Sequence, residues 1–297
     1  MLTSKAVLAG KKALSLRMML HQHIRREEPE RAAWNLHASE LTREEMSFCA
    51  RATVIKHRLR IPAEIEIINT SLGVTFEWGR LVESRVRQWF AEMGRAVGDW
   101  QCAHKPCGAM YRFQTRPKVC TACNGELFRY LERRAVSAIS GISCGLDLLV
   151  NNDAPRLALT EVKSIDKDKF KELAGPLAEH RQRVQLYLRC VAESDDQVLR
   201  SRVNTEEGRI LYVTKGGFGS IADDMMHWPF HDGKFSPFKE YVIKRDDAAV
   251  EHLVQMGAAA TLGLTGGPVP ARICQVPGSP RAQKCNVCKQ CFDAKGW

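Results

Sequence analysis

Residues 141–165 read GISCGLDLLVNNDAPRLALTEVKSI, and this stretch decides the fold. Two apolar runs, roughly 137–150 and 156–163, flank NNDAP, a cluster of turn-forming Asn, Asp and Pro. The pattern predicts an antiparallel hairpin. Side chains alternate faces along a strand, so Glu161 and Lys163 share a face. A turn centred near Asp153–Ala154 places Asp147 opposite residue 160 or 161, with Cβ atoms ~5 Å apart if the partner is Glu161. Two carboxylates that close repel unless a cation lies between them, and Mg²⁺ or Mn²⁺ prefers carboxylate oxygens. A lysine two residues on can orient a water beside such an ion, a layout suited to phosphodiester hydrolysis. The looser acid-x-Lys pattern recurs at Asp232–Lys234 and Asp293–Lys295, but only Glu161–Lys163 lies on an apolar strand with an Asp one strand earlier. The plain alternative is an exposed hairpin edge with an ordinary salt bridge. The apolar residues around both acids argue against it, because unpaired acids are costly to bury.

Outward from the hairpin, the hydrophobic pattern alternates between helices and strands. Residues 75–93 read as an amphipathic helix with a stripe of Trp78, Leu81, Val82, Val86, Trp89, Phe90 and Met93, and Glu83 lies on that stripe. An acid there needs a partner; Arg80 and Arg87 are the local candidates. A helix is expected at about 177–193, strands at 210–214 and in KEYVIKRD, and a helix at about 247–263. Towards the N-terminus, a basic helix over 4–33 and a second one, starting at Ser39 or Thr42 and carrying Cys49 up to Pro62, are expected.

The chain has 297 residues, a net charge of +10 and 11 cysteines. Its 44% hydrophobic content is that of a globular chain, and no apolar run reaches the ~18–20 residues needed to span a bilayer. The N-terminal stretch is broken by Lys11, Lys12 and Arg17 and makes a poor signal peptide, so the expected location is the cytoplasm. Residues 1–60 hold twelve basic and six acidic residues, a charge pattern open to a nucleic-acid partner or to an ordinary solvated helix.

In a reducing compartment, clustered thiols point to metal rather than to disulfides. Cys102-x4-Cys107-x12-Cys120-x2-Cys123 has the two-pair spacing of a Zn²⁺ ribbon. Arg112, Arg116 and Lys118, interleaved with Tyr111 and Phe113, would let it touch DNA, although a purely structural ribbon fits equally well. Cys285-x2-Cys288-x2-Cys291, preceded by Cys274, resembles the opening of a ferredoxin run and suits a [4Fe–4S] cluster. A second zinc site is the competing reading. Cys144 and Cys190 sit in apolar contexts and read as core. The histidines of MMHWPFHDG, near 227–231, are candidates to line a nucleic-acid groove.

The order of these pieces resembles the PD-(D/E)XK nuclease superfamily, in its RecB-like iron–sulfur exonuclease branch, which includes CRISPR-associated RecB-type nucleases and phage relatives. The matching residues are Gly79 and Glu83 on a helix, Gly145-Leu146-Asp147 on a strand, Glu161-Val162-Lys163 on the next, the helix HRQRVQLYL, and the C-terminal cysteines. The resemblance covers roughly 37–293, excluding 98–134. It implies a restriction-endonuclease-like α/β fold with a mixed central sheet flanked by helices. Glu83, Asp147, Glu161 and the Val162 carbonyl would hold Mg²⁺ or Mn²⁺, and Lys163 would be the catalytic lysine. Cys49, in the context SFCAR, would join the iron–sulfur ligands, leaving five candidates for four places. The family's helical glutamine sits four residues before a tyrosine; here that position is Arg183, so Gln185 and Tyr187 are the residues placed near the site.

The organisation expected is a basic helical region (1–62), a nuclease core (63–97 and 135–263), an inserted zinc ribbon (98–134) and a C-terminal cysteine region (264–297). The function expected is a metal-dependent deoxyribonuclease, an exonuclease acting on single-stranded DNA or a double-stranded end, without membrane, in company with recombination or defence proteins. The alternatives are a non-catalytic zinc and iron–sulfur nucleic-acid-binding module, or a nuclease subunit active only in a larger complex.

Overall fold

The computed structural model describes residues 19–20, 23–24, 26–29, 36–42, 48–61, 65–215 and 236–293. The strands are β1 (Arg26–Pro29), β2 (Ile65–Ile68), β3 (Ala96–Cys102), β4 (Met110–Thr115), β5 (Phe128–Leu131), β6 (Arg133–Val136), β7 (Ser143–Leu146), β8 (Leu148–Val150), β9 (Leu157–Ile165), β10 (Val203–Thr214) and β11 (Phe238–Lys244). The helices are α1 (Ala38–Leu41), α2 (Ala50–Arg58), α3 (Thr70–Glu92), α4 (Lys167–Glu172), α5 (Ala178–Ala192), α6 (Gln197–Arg202), α7 (Asp247–Leu264), α8 (Pro280–Gln283) and α9 (Cys288–Asp293).

Seven strands form the central sheet in the order β11-β10-β9-β8-β3-β4, with β5 also paired to β3. Within this sheet, among the described residues, only β9 and β10 run parallel; α5 lies between them in the chain, as a parallel connection requires. The expected mixed sheet flanked by helices is therefore present. The β8–β9 register pairs Leu148 with Thr160 and Val150 with Ala158, and Asp153 supplies a left-handed turn residue at φ 66°. The two faces of β9 feed two cores. Leu157, Leu159 and Ile165 pack with Val184, Leu186 and Leu188 of α5, while Ala158 and Val162 pack with Val86 of α3. Each such large aliphatic group contributes about 1.5–3 kcal/mol on burial.

The expected single strand over 137–150 is divided in two. The chain bends at Asp147, so β7 pairs with β6 in a two-stranded sheet while β8 joins the central one. A second departure is α3, which is longer than expected because Asn69 caps it by accepting from the Leu72 N–H. Its apolar stripe is only partly covered: Val86 is buried, but Trp78, Leu81, Trp89 and Met93 are exposed. Val86, with Val82 and Phe90, packs on the core that includes Ala158 and Val162 of β9, while Gly79 makes a close approach of its own: a Cβ there would lie 3.6 Å from Ser164 Oγ.

The N-terminal expectations change most. Arg26–Pro29 is a strand paired with Ile65–Ile68, where a helix over 4–33 was expected; the rest of that helix lies outside the described residues, apart from 19–20 and 23–24. Cys49 is not inside a helix. It is extended and caps α2, its sulfur accepting from the Ala52 N–H. The cap signal at Glu44 and Glu45 and the histidines of 227–231 lie outside the described residues. Among the described residues, no helix is long and apolar enough to cross a membrane.

Candidate active site and cysteine centres

The bend at Asp147 gathers four carboxylates. Extending the β8–β9 register by one residue sets Asp147 opposite Glu161, as the hairpin reading allowed. The bend turns Asp147 Oδ2 to accept the Val162 N–H at 3.2 Å. Glu83 comes from α3, one turn after the glycine that faces β9. The fourth, Glu132, was not foreseen. It links β5 to β6, and its carboxylate, with those of Glu83 and Asp147, places one oxygen each within 4.8 Å of the others. No pattern marks it in the sequence, because it is a single Glu after the cysteine segment.

Three cations answer these acids. Lys163 Nζ lies 2.6 Å from Glu161 Oε1 and 3.7 Å from Asp147 Oδ2, and donates to the Val162 carbonyl at 3.2 Å. Arg183 reaches Glu161 Oε1 at 3.3 Å and Thr42 Oγ1 at 3.4 Å. Arg87 bridges Glu83 (2.5 Å) and Glu132 (3.0 Å) and donates to the Asp147 carbonyl at 3.1 Å. The Glu83–Arg87 pair considered from sequence thus exists, alongside the acidic grouping. Glu161 is 1% exposed and its Oε2 has no partner among the described residues.

The electrostatics follow. Burial pushes the Asp147 carboxyl well above the usual range, and the Glu161 charge adds to the shift. Burial also acts to raise Glu161, but Lys163 and Arg183 outweigh it and hold that carboxyl below its ordinary value. Glu83 is raised, chiefly by burial, against the pull of Arg87. His180, one turn before Arg183, is brought down to about 4 by burial and the nearby Lys163 and Arg183 charges. It is a neutral ring at physiological pH, bonded through Nδ1 to the Tyr212 hydroxyl at 2.7 Å.

The two helix residues expected near the site fare differently. Tyr187 is buried, and its hydroxyl is raised by that burial and by the Glu161 and Asp147 charges, which places it within their field. Gln185 is turned away: its amide donates to the Lys244 carbonyl (2.6 Å) and accepts from the Asp246 N–H (2.7 Å), tying α5 to the start of α7. Arg183, not Gln185, projects onto Glu161. Residues 183 and 187 are one turn apart and share a face, whereas 185 does not. That spacing was visible in the sequence.

No known family matches the chain, and none of the curated proteins compared with it does. Among solved structures, the chain is similar to the alkaline exonuclease LHK-Exo from Laribacter hongkongensis (14% identity, 79% of this chain and 89% of that one, TM-score 0.42). The same enzyme in complex with dAMP gives 15% identity, the same coverage and a TM-score of 0.42. A further crystal structure, SSO0001, covers 86% of this chain and 85% of its own at 14% identity and a TM-score of 0.36. At these values the functional reading rests on the geometry of the site.

The cysteines form two centres. Cys102, Cys107, Cys120 and Cys123 bring their sulfurs within 4.8 Å of one another, with Cys102–Cys123 and Cys107–Cys120 each at 3.6 Å. Tyr111 donates to Cys120 Sγ at 3.3 Å, and this bond leads the fall of that thiol to about 6. β3 belongs to both the central sheet and the cysteine segment, carrying Ala96 and Val97 against β8 and Cys102 at its end. The second centre is a cavity lined by Cys49, Cys274, Cys285, Cys288 and Cys291. Arg51 donates to Cys291 Sγ (3.2 Å) and to the Pro270 carbonyl (2.9 Å), and Val287 and Cys291 pack on Ile55 of α2. The tail therefore docks where Cys49 begins its helix. Cys144 and Cys190 are buried, as expected of core thiols.

Proposed function

We propose that the protein is a divalent-metal-dependent deoxyribonuclease acting as an exonuclease, of the PD-(D/E)XK type and its RecB-like iron–sulfur branch. The observation that carries this reading is the Asp147–Glu161 pair. The two carboxylates are side by side at a strand bend, and among the described residues the buried Glu161 Oε2 receives no N–H. Without metal the raised Asp147 carboxyl shares its proton with Glu161, and a divalent cation would take the place of that proton. Asp147, Glu161 and Glu83 would hold Mg²⁺ or Mn²⁺. The Val162 carbonyl, foreseen as a ligand, accepts from Lys163 and keeps a second lone pair. When bound, the ion would acidify a water and withdraw charge from the phosphate.

The chain's own residues supply the rest. Lys163, held between Glu161 and Asp147, orients the attacking water and stabilises charge developing on the phosphate. Its raised pKa, set by the Glu161 and Asp147 charges against the cost of burial, keeps it a cation; it acts by position rather than as a base. Arg183 and Lys163 both hold Glu161 Oε1, which would leave Oε2 free for the ion. Tyr187 closes the apolar wall behind the acids.

The ribbon sulfurs fit Zn²⁺: at ~2.3 Å from one ion, tetrahedral sulfurs stand about 3.8 Å apart, close to the 3.6 Å pairs here. The second centre fits a [4Fe–4S] cluster better than zinc. A cube is wider than one ion and spreads its cysteines, and among the described residues these five make no group as tight as the ribbon's. Four of the five would ligate.

The experiment is direct. Purified anaerobically, the protein should be brown, carry about four irons and one zinc, and release nucleotides from linear DNA only with Mg²⁺ or Mn²⁺. Covalently closed circles should resist it. Salt-dependent binding to DNA without divalent-dependent turnover would instead leave a binding module.

A further inference from the structure

The fourth carboxylate at the bend is delivered by the cysteine segment. β5 pairs along β3 from Cys102↔Phe128 to Asp99↔Leu131, and the next residue is Glu132. The chain then leaves the central sheet and pairs as β6 with β7, starting at Arg133↔Leu146. One step back along that register sets Glu132 opposite Asp147. Asp147 therefore has an acid across from it on each side: Glu161 through β9 and Glu132 through β6. Gly145 leaves room for this, since a Cβ there would come within 3.1 Å of Glu132 Oε2. Tyr130, stacked edge-on against Trp100, lies under the Arg87 guanidinium at 4.9 Å and steadies the cation that bridges Glu83 and Glu132.

Arg87 alone does not balance this group. Arg87 is one charge against both Glu83 and Glu132, and among the described residues the buried Glu161 Oε2 beside Asp147 receives no N–H. We propose that Glu132 is a further ligand of the divalent cation, shared with Glu83 and Asp147. The cysteine segment then completes the metal centre instead of only decorating the sheet. Three oxygens within 4.8 Å of one another can close onto one octahedral ion, whose opposite ligands stand about 4.2 Å apart. This inference rests on the divalent-metal reading above but does not need the protein to cleave DNA.

The test is Mn²⁺ binding without DNA, followed by electron paramagnetic resonance and calorimetry on the full chain. Glu132→Gln should weaken Mn²⁺ at least about tenfold, the scale of a lost ligand or its immediate support, and Glu132→Asp should recover part of it. Glu126→Gln, an exposed acid of the same segment, should change nothing. Zinc content and circular dichroism report that the variants fold. Unchanged Mn²⁺ affinity in Glu132→Gln, with affinity lost in Asp147→Asn, overturns the role of Glu132 and leaves the nuclease reading standing. Affinity unchanged in both overturns the metal reading itself.

Discussion

Asp147→Asn is expected to reduce divalent-dependent DNA cleavage by about a thousandfold or more, equivalent to roughly 4 kcal/mol of transition-state stabilisation. The variant should also be more stable than the parent at neutral pH in the absence of divalent ions. Both effects come from one fact: a buried carboxyl beside Glu161 has a pKa well above its unfolded value of about 3.9. For such a group the stabilising contribution is complete below the unfolded pKa and is lost as pH rises through the folded one. Relative to the asparagine variant, which keeps an oxygen for the Val162 N–H, the parent should therefore lose stability without metal as pH rises above about 4, while the His180 contribution, the same in both proteins, cancels. Nucleotide release from linear DNA measures the first effect, and urea unfolding of both proteins from pH 4 to 8 with chelator the second. A stability gap between variant and parent that does not grow over that range, or a variant that cleaves normally, contradicts the assignment.

Lys163→Met is the second large change. It removes the ammonium 2.6 Å from Glu161 and leaves a carboxylate that is 1% exposed with Arg183 alone at 3.3 Å. Breaking a buried ion pair by deleting one partner costs about 3–5 kcal/mol; the remaining arginine places the loss towards the lower figure. The pH dependence identifies the cause. In the parent, Glu161 is held below its ordinary pKa, so its contribution is present above about 4.3 and lost as pH falls through the folded value. With the lysine gone, burial takes over and the sign reverses. The stability gap between the two proteins should widen from pH 4 to pH 7, and cleavage should be lost throughout. A constant gap would mean that the methionine disturbs packing rather than charge.

The hairpin was legible because strand alternation and the turn residues fix a register, and the register alone sets Asp147 against Glu161. The ribbon cysteines were legible from spacing, since a tetrahedron of sulfurs needs close pairs. Glu132 was not, because its place depends on where β5 ends and β6 begins, a long-range pairing that no local pattern encodes. Arg183 was passed over for Gln185 on residue type, although helix geometry puts 183, not 185, on the face of Tyr187. The stripe of α3 was misread for a related reason. Periodicity marks an apolar face but not what covers it: Val86 packs on β9 and Gly79 approaches it closely, while Trp78, Leu81, Trp89 and Met93 stay exposed. At Arg26–Pro29 a tertiary partner, Ile65–Ile68, overrode the local helical pattern.

The bond from the Val162 N–H to Asp147 Oδ2 gives the site an internal reporter. Most amides of a central strand are locked to a neighbouring carbonyl and sense only global opening. This one is locked to a side chain whose charge changes with protonation and with metal. Its nitrogen chemical shift and its rate of exchange with deuterated water should respond to Mg²⁺, while the Leu159 amide, set in the regular ladder opposite Leu149, should stay still. A single isotopically labelled valine would then read the occupancy of the centre in solution, without substrate and without turnover.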